Sequence, residues 1–190
     1  MQIHQLSVTY QAEQDRVLLR VNSTSGEEMR LWLTRRLMLG LWPLLTKLLT
    51  EHLLKLESAG ASLAGANPEL KKMLADFRKE EFLQHADFDT PYKEGQQNLP
   101  LGEDPLLVTD VDATPLAGGP LRLNFNERPP SGDAKPRSFQ MEMAPKLMQG
   151  LMHLLDQALL TSQWREPFVA PAAAEPAAED SDGTKPRYLN

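Results

Sequence analysis

The chain has 190 residues, 41% of them apolar, with a formal net charge of −6 and no cysteine. That length buries one sizeable core or two small ones that lean on each other, and the missing cysteines exclude disulfides and thiolate metal sites and fit a reducing compartment. Net charge runs +1 over residues 1–57, −2 over 58–100, −3 over 101–164 and −2 over 165–190, which excludes a broadly basic nucleic-acid binder and leaves room only for a local patch.

The opening MQIHQLSVTYQ lacks the basic start and apolar run of a secretory leader, so a cytoplasmic protein is expected. Ile3 to Tyr10 alternates, with Leu6, Val8 and Tyr10 on one face, and the polar AEQD that follows predicts a hairpin turn. Val17 to Asn22 then places Val17, Leu19 and Val21 inward, STSGEE supplies a second turn, and Met29 to Thr34 places Met29, Leu31 and Leu33 inward. Beyond Arg36 the apolar period changes from two to about three and a half, and Leu37 to Leu56 reads as a helix. Its apolar residues wrap more than half the circumference, which asks for cover from its own sheet and from a twin helix or another subunit. Pro43 predicts a kink near its start. Lys47, Glu51, His52 and Lys55 interrupt the run, so a buried helix fits better than a membrane span, and no membrane partner is expected.

Asn67-Pro68-Glu69 has the pattern of an N-cap, a first-turn proline and an acidic first turn. It opens a helix over about residues 68–85 with an apolar stripe of Leu70, Met73, Leu74 and Phe77. Asp87 to Pro105, rich in proline, glycine and glutamine, reads as a loop.

The first unit then returns. A shift of 110 pairs Leu31 with Met141, Leu33 with Met143, Arg36 with Lys146, Leu37 with Leu147, Gly40 with Gly150 and Leu44 with Leu154. Val108-Thr109 matches Val8-Thr9 at a shift of 100, and Leu121 to Asn124 matches Leu19 to Asn22 at 102. The extra residues fall in two hairpin loops, ATPLAGGP and RPPSGDAKPR, where insertions cost little. The expected fold is α+β: duplicated β-β-β-α units at residues 1–57 and 105–164, joined by the connector 58–104, with antiparallel sheet covered on one face by helices. The Pro/Ala-rich run over residues 165–190 predicts a disordered tail.

Catalytic chemistry is sparse. His4, His52, His85 and His153 are scattered, without acidic neighbours at metal-ligand spacing, and Asp110 with Asp112 reads as a solvated strand face. There is no GxGxxG or GxxxxGK, so no catalytic, cofactor-binding or metal residues are assigned, and the chain is not expected to be an enzyme.

Two binding elements stand out instead. On the outward face of the first sheet, Arg20, Arg30 and Trp32, extended by Arg35 and Arg36, offer cations for phosphate and a π face for a base. In the second unit Gln140 and Glu142 stand in the places of Arg30 and Trp32, while Arg122 aligns with Arg20, so only one half has this character. The tail ends in KPRYLN, where Lys185, Arg187, Tyr188 and Leu189 form a candidate docking motif. The leading expectation is a non-enzymatic adaptor that presents its sheet face and tail to a protein partner, with homodimerisation open. The alternative is single-stranded nucleic-acid binding on the Arg/Trp face.

EQDRVLLRVNSTSGEEMRLWLTRR, with its E-x-R-L-W-L-T-R-R motif, and the terminal KPRYLN resemble an uncharacterised bacterial family, which implies a shared fold and no activity. In topology, tandem strands-then-helix units resemble the purine-rich-element and Whirly single-strand binders, although those have four strands per unit.

Overall fold

The computed structural model describes residues 2–58, 67–88, 90–93, 98–117, 119–128 and 136–166. Its elements are β1 (Ile3–Gln11), β2 (Arg16–Ser23), β3 (Glu28–Thr34), α1 (Arg35–Ser58), α2 (Pro68–His85), β4 (Leu106–Leu107), β5 (Asp110–Pro115), β6 (Leu121–Glu127), β7 (Arg137–Met143) and α3 (Pro145–Thr161). The class is α+β with two open sheets, one ordered β1-β2-β3-β4 and the other β5-β6-β7. The first three strands of each sheet run antiparallel, and β4 joins β3 in parallel.

Strict alternation puts one face of each sheet in the core. Val17, Leu19, Val21, Met29, Leu31 and Leu33 are buried on the first sheet, as are Leu121, Leu123, Phe125, Phe139, Met141 and Met143 on the second. Met38, Leu41 and Leu45 of α1 and their counterparts Met148, Leu151 and Leu155 of α3 close this core from the helix side. The helices touch each other, and each also lies against the other unit's first strand: α3 on β1 and α1 on β5.

The sheets meet where the chain changes partners between two successive residues. The Val108 N–H donates to the Trp32 carbonyl at 3.0 Å, and the Thr109 N–H donates to the Asn126 carbonyl at 2.9 Å. Glu127 and Arg137 clamp this junction. Arg137 Nη2 donates to Glu127 Oε1 at 3.0 Å, its Nη1 donates to the Leu101 carbonyl at 2.9 Å, and Glu127 also accepts from the Leu107 N–H at 3.0 Å. The hydrogen bond from Arg137 is the main reason that Glu127 titrates below the usual carboxylate range; partial burial opposes it and the Leu107 N–H adds to it.

Several sequence expectations need correction. The expected loop at 87–105 holds no helix or strand among the described residues, and Asn98 within it bridges Glu27 in parallel. The chain then supplies β4 to the first sheet from inside the segment assigned to the second unit. ATPLAGGP is not all loop, because β5 continues to Pro115 and the turn is closed by Leu116 N–H donating to the Pro120 carbonyl at 2.8 Å. Gly119 there has φ +109, a conformation that suits glycine.

The internal register also differs. Leu19 lies opposite Leu31 in the first sheet, but Leu123 lies opposite Met141 in the second. Holding the third strands at a shift of 110, β6 therefore aligns with β2 at 104 and not 102. The same reading aligns β5 with β1 at 105 and not 100, because Val8 opposes Leu19 whereas Ala113 opposes Leu123. Arg122 thus occupies the place of Leu18, and Asn124 that of Arg20.

The folded body also extends beyond residue 164. Trp164 is buried, its Nε1 donates to Asp15 Oδ1 at 2.6 Å, and its ring meets Tyr10 edge-on at 5.6 Å. Arg165 stacks over the Trp42 ring at 4.4 Å and pairs with Asp156 at 2.8 Å. These contacts hold the first residues assigned to the tail.

Candidate functional site: two equivalent grooves

The outward face of the first sheet is crossed by the connector. Lys93 N–H donates to Gln5 Oε1 at 3.0 Å, Asn22 Nδ2 donates to the Lys93 carbonyl at 2.9 Å, and the Tyr92 hydroxyl donates to Asn22 Oδ1 at 2.6 Å. Asn22 is fully buried as a result. The Arg20 guanidinium lies over the Tyr92 ring at 4.5 Å, so its π partner is Tyr92, from the segment that reads as loop.

The five predicted face residues divide. Arg20 and Arg30 oppose each other across β2 and β3, and half-buried Trp32 lies two residues along the same face. Arg35 is drawn away, donating through Nη2 to the Trp164 carbonyl at 3.0 Å. Arg36 is exposed and lines a groove on another side. Lys185, Arg187, Tyr188 and Leu189 lie outside the described residues. In the second sheet, Arg122 pairs with Glu142 at 2.7 Å on an exposed surface.

The groove at Arg36 was not anticipated. It has a volume of about 580 Å³ and runs between the first turns of α1, with Arg36, Leu37, Gly40 and Leu44, and the chain from Leu107 to Val111. A second cleft of about 580 Å³ lies between α3, with Lys146, Leu147, Gly150 and Leu154, and β1 from His4 to Leu6. Arg36, Leu37, Gly40 and Leu44 correspond to Lys146, Leu147, Gly150 and Leu154 at a shift of 110, and residues 109–111 correspond to 4–6 at 105, while Leu41, Leu107 and Val108 line the α1 groove alone. They are the same groove built twice.

Their contents differ. In the α3 groove the end of α2 and the following turn supply Phe82, Asp87, Phe88 and Tyr92 to the lining. A Cβ on Gly150 would lie 3.7 Å from the Phe82 ring, and the Phe88 ring sits 4.7 Å from the His153 ring. A Cβ on Gly40 would meet no described residue within 4 Å, and Leu44 beside it is 41% exposed. The glycines matched in sequence are matched notches, one under an aromatic ring and one open.

Among the described residues, no group of three His, Asp or Glu side chains could hold a metal ion, and no helix is long and apolar enough to cross a membrane. Asp110 and Asp112 are exposed, with Asp112 accepting from Asn126 Nδ2 at 3.1 Å. Comparison with protein-family models, curated proteins and solved structures finds no match. The two resemblances drawn from the sequence therefore gain no support, and function has to be argued from the surfaces.

Proposed function

We propose that this chain is a non-enzymatic protein-binding module whose principal docking surface is the groove between α1 and β5. The observation that carries this reading is the contrast at the two glycines: Phe82 lies over Gly150, and no described residue lies over Gly40. An apolar groove that the same fold lines elsewhere with a helix end and its aromatics has the shape for another such segment. The KPRYLN tail is the second proposed docking element, as a short motif offered to a partner. The sheet face contributes less than its sequence suggests, since the connector takes up Arg20 and Asn22.

The test uses the segment that fills the twin groove. A labelled peptide of residues 78–92 is titrated with the full chain and read by fluorescence anisotropy. We expect a dissociation constant on the order of micromolar, weakened at least about tenfold by Gly40→Glu. Equal binding to both proteins would sink the groove as a docking site.

The single-strand alternative is favoured by the direct opposition of Arg20 and Arg30 with Trp32 nearby, and disfavoured by the Tyr92 cover. Labelled single-stranded DNA and RNA at about 50 and 200 mM salt separate the readings. Salt-sensitive binding that vanishes in Arg30→Ala/Trp32→Ala would favour nucleic acid.

A further inference from the structure

The chain carries an unpartnered helix face as well as an open groove. On α2, Leu70, Met73 and Phe77 are 51, 67 and 63% exposed, a stripe at spacings of three and four residues with no cover among the described residues. Phe82, which covers Gly150 in the α3 groove, lies five positions beyond Phe77, about 140° round the helix. One side of α2 is therefore spent inside its own chain, and the stripe faces a different direction. Large side chains this exposed along one helix face usually meet a partner.

We infer that the α1–β5 groove of one copy receives the Leu70/Met73/Phe77 face of α2 from a second copy, so that the chain forms a reciprocal dimer. This rests on the groove being a docking surface, as proposed above, and adds the identity of what docks. Three observations select a second copy. The segment over the glycine notch of the twin groove is α2 itself, through its Phe82 ring, and Phe77 is an exposed ring that can serve Gly40 in the same way. Charge permits it: Glu69, Asp76 and Glu80 follow one flank of the stripe, while the groove carries Arg36 on its helix side and the Asp110 carboxylate on its strand side. In the twin groove Lys146, the counterpart of Arg36, shares the lining with Asp87 of the connector. Finally, two unlike surfaces on one chain satisfy each other twice in a two-fold dimer, which leaves neither open.

Sedimentation velocity on the full chain, from about 1 to 100 µM, tests this. Gly40→Glu adds a helix-forming side chain into open space, and Phe77→Glu changes a residue already exposed, so both variants should keep the fold; circular dichroism checks it. We expect a dimer for the natural sequence and at least about tenfold weaker association for each variant. An equimolar mixture of the two variants should recover part of the association, because intact stripes on Gly40→Glu chains meet intact grooves on Phe77→Glu chains. A monomer throughout, a dimer indifferent to Gly40→Glu, or a mixture that recovers nothing would each overturn the proposal. If the chain is monomeric yet loses the 78–92 peptide on Gly40→Glu, the second copy is wrong and the groove stands. If that peptide is also indifferent to Gly40→Glu, both fail.

Discussion

The α1 and α3 grooves are built from matching helix residues set against matching strand segments, and they differ in what lies over them. A single connector serves two equivalent positions, so it can line only one. The end of α2 and its aromatics seat on Gly150, and Gly40 is left open. Matching positions in a repeated architecture therefore have unequal surroundings wherever the joining segment is unique. A search for function should start from the places where the likeness breaks.

The α3 side is also fastened at its end, and the largest expected effect tests that. Trp164 ties the chain just after α3 to the β1–β2 turn through Asp15 and the Tyr10 ring. Trp164→Ala should cost about 3–5 kcal/mol by urea denaturation, the range for a buried large aromatic. A loss below about 1 kcal/mol would mean that the helix is held without this contact.

A matched pair of substitutions addresses the grooves themselves. Gly150→Leu puts a branched side chain against the Phe82 ring, 3.7 Å from the added Cβ, and crowding there should cost roughly 1 kcal/mol relative to the same change at Gly40. Gly40→Leu enters open space within a helix and should be neutral or stabilising by up to about 1 kcal/mol, since glycine is the poorer helix residue. Equal effects in thermal or urea melts would erase the distinction between the covered glycine and the open one.

Much of this architecture was legible in the sequence, and the reason is periodicity. Val17, Leu19 and Val21, or Met29, Leu31 and Leu33, alternate cleanly because one face of each strand is core. The helix correspondence at 110 was legible because Gly40 and Gly150 punctuate otherwise apolar text. What could not be read was set by contacts between distant segments. Nothing local to Pro91-Tyr92-Lys93 says that it will cross β1 and β2, and Asn22, polar by type, is buried only because that crossing satisfies it. The change of sheet between Val108 and Thr109 likewise depends on Trp32 and Asn126, far away in sequence. The grooves were missed because each needs a helix from one unit and a strand beside it from the other.

The junction clamp gives a smaller, pH-dependent effect. Glu127 has its pKa lowered in the folded chain, so its contribution is complete above the unfolded value of about 4.3 and is lost as pH falls through the lower folded value. Glu127→Gln should cost roughly 1–2 kcal/mol near neutrality, with the difference from the natural sequence shrinking in acid. The second unit has this charged clasp where its sheet meets the first. A difference that grew in acid would assign the stabilisation to another group.

The smallest effect bears on register, the point at which sequence likeness misled. Leu-Arg-Leu-Asn at 121–124 matches Leu19 to Asn22 so well in residue type that Arg122 falls in the place of Arg20. The ladder sets it opposite Glu142, where Leu18 and Trp32 meet in the first sheet. A slip of two residues keeps every side chain on its face, so alternation alone cannot detect it. Cross-strand partners can. Arg122 and Glu142 are both more than 40% exposed, and a pair of that kind contributes about 0.2–1 kcal/mol. Arg122→Ala and Glu142→Ala should each cost a few tenths, with a double-mutant coupling of about 0.3 kcal/mol that fades in salt. Arg122→Ala paired with Gln140→Ala should show no coupling; coupling there and none with Glu142 would restore the register that residue likeness suggests.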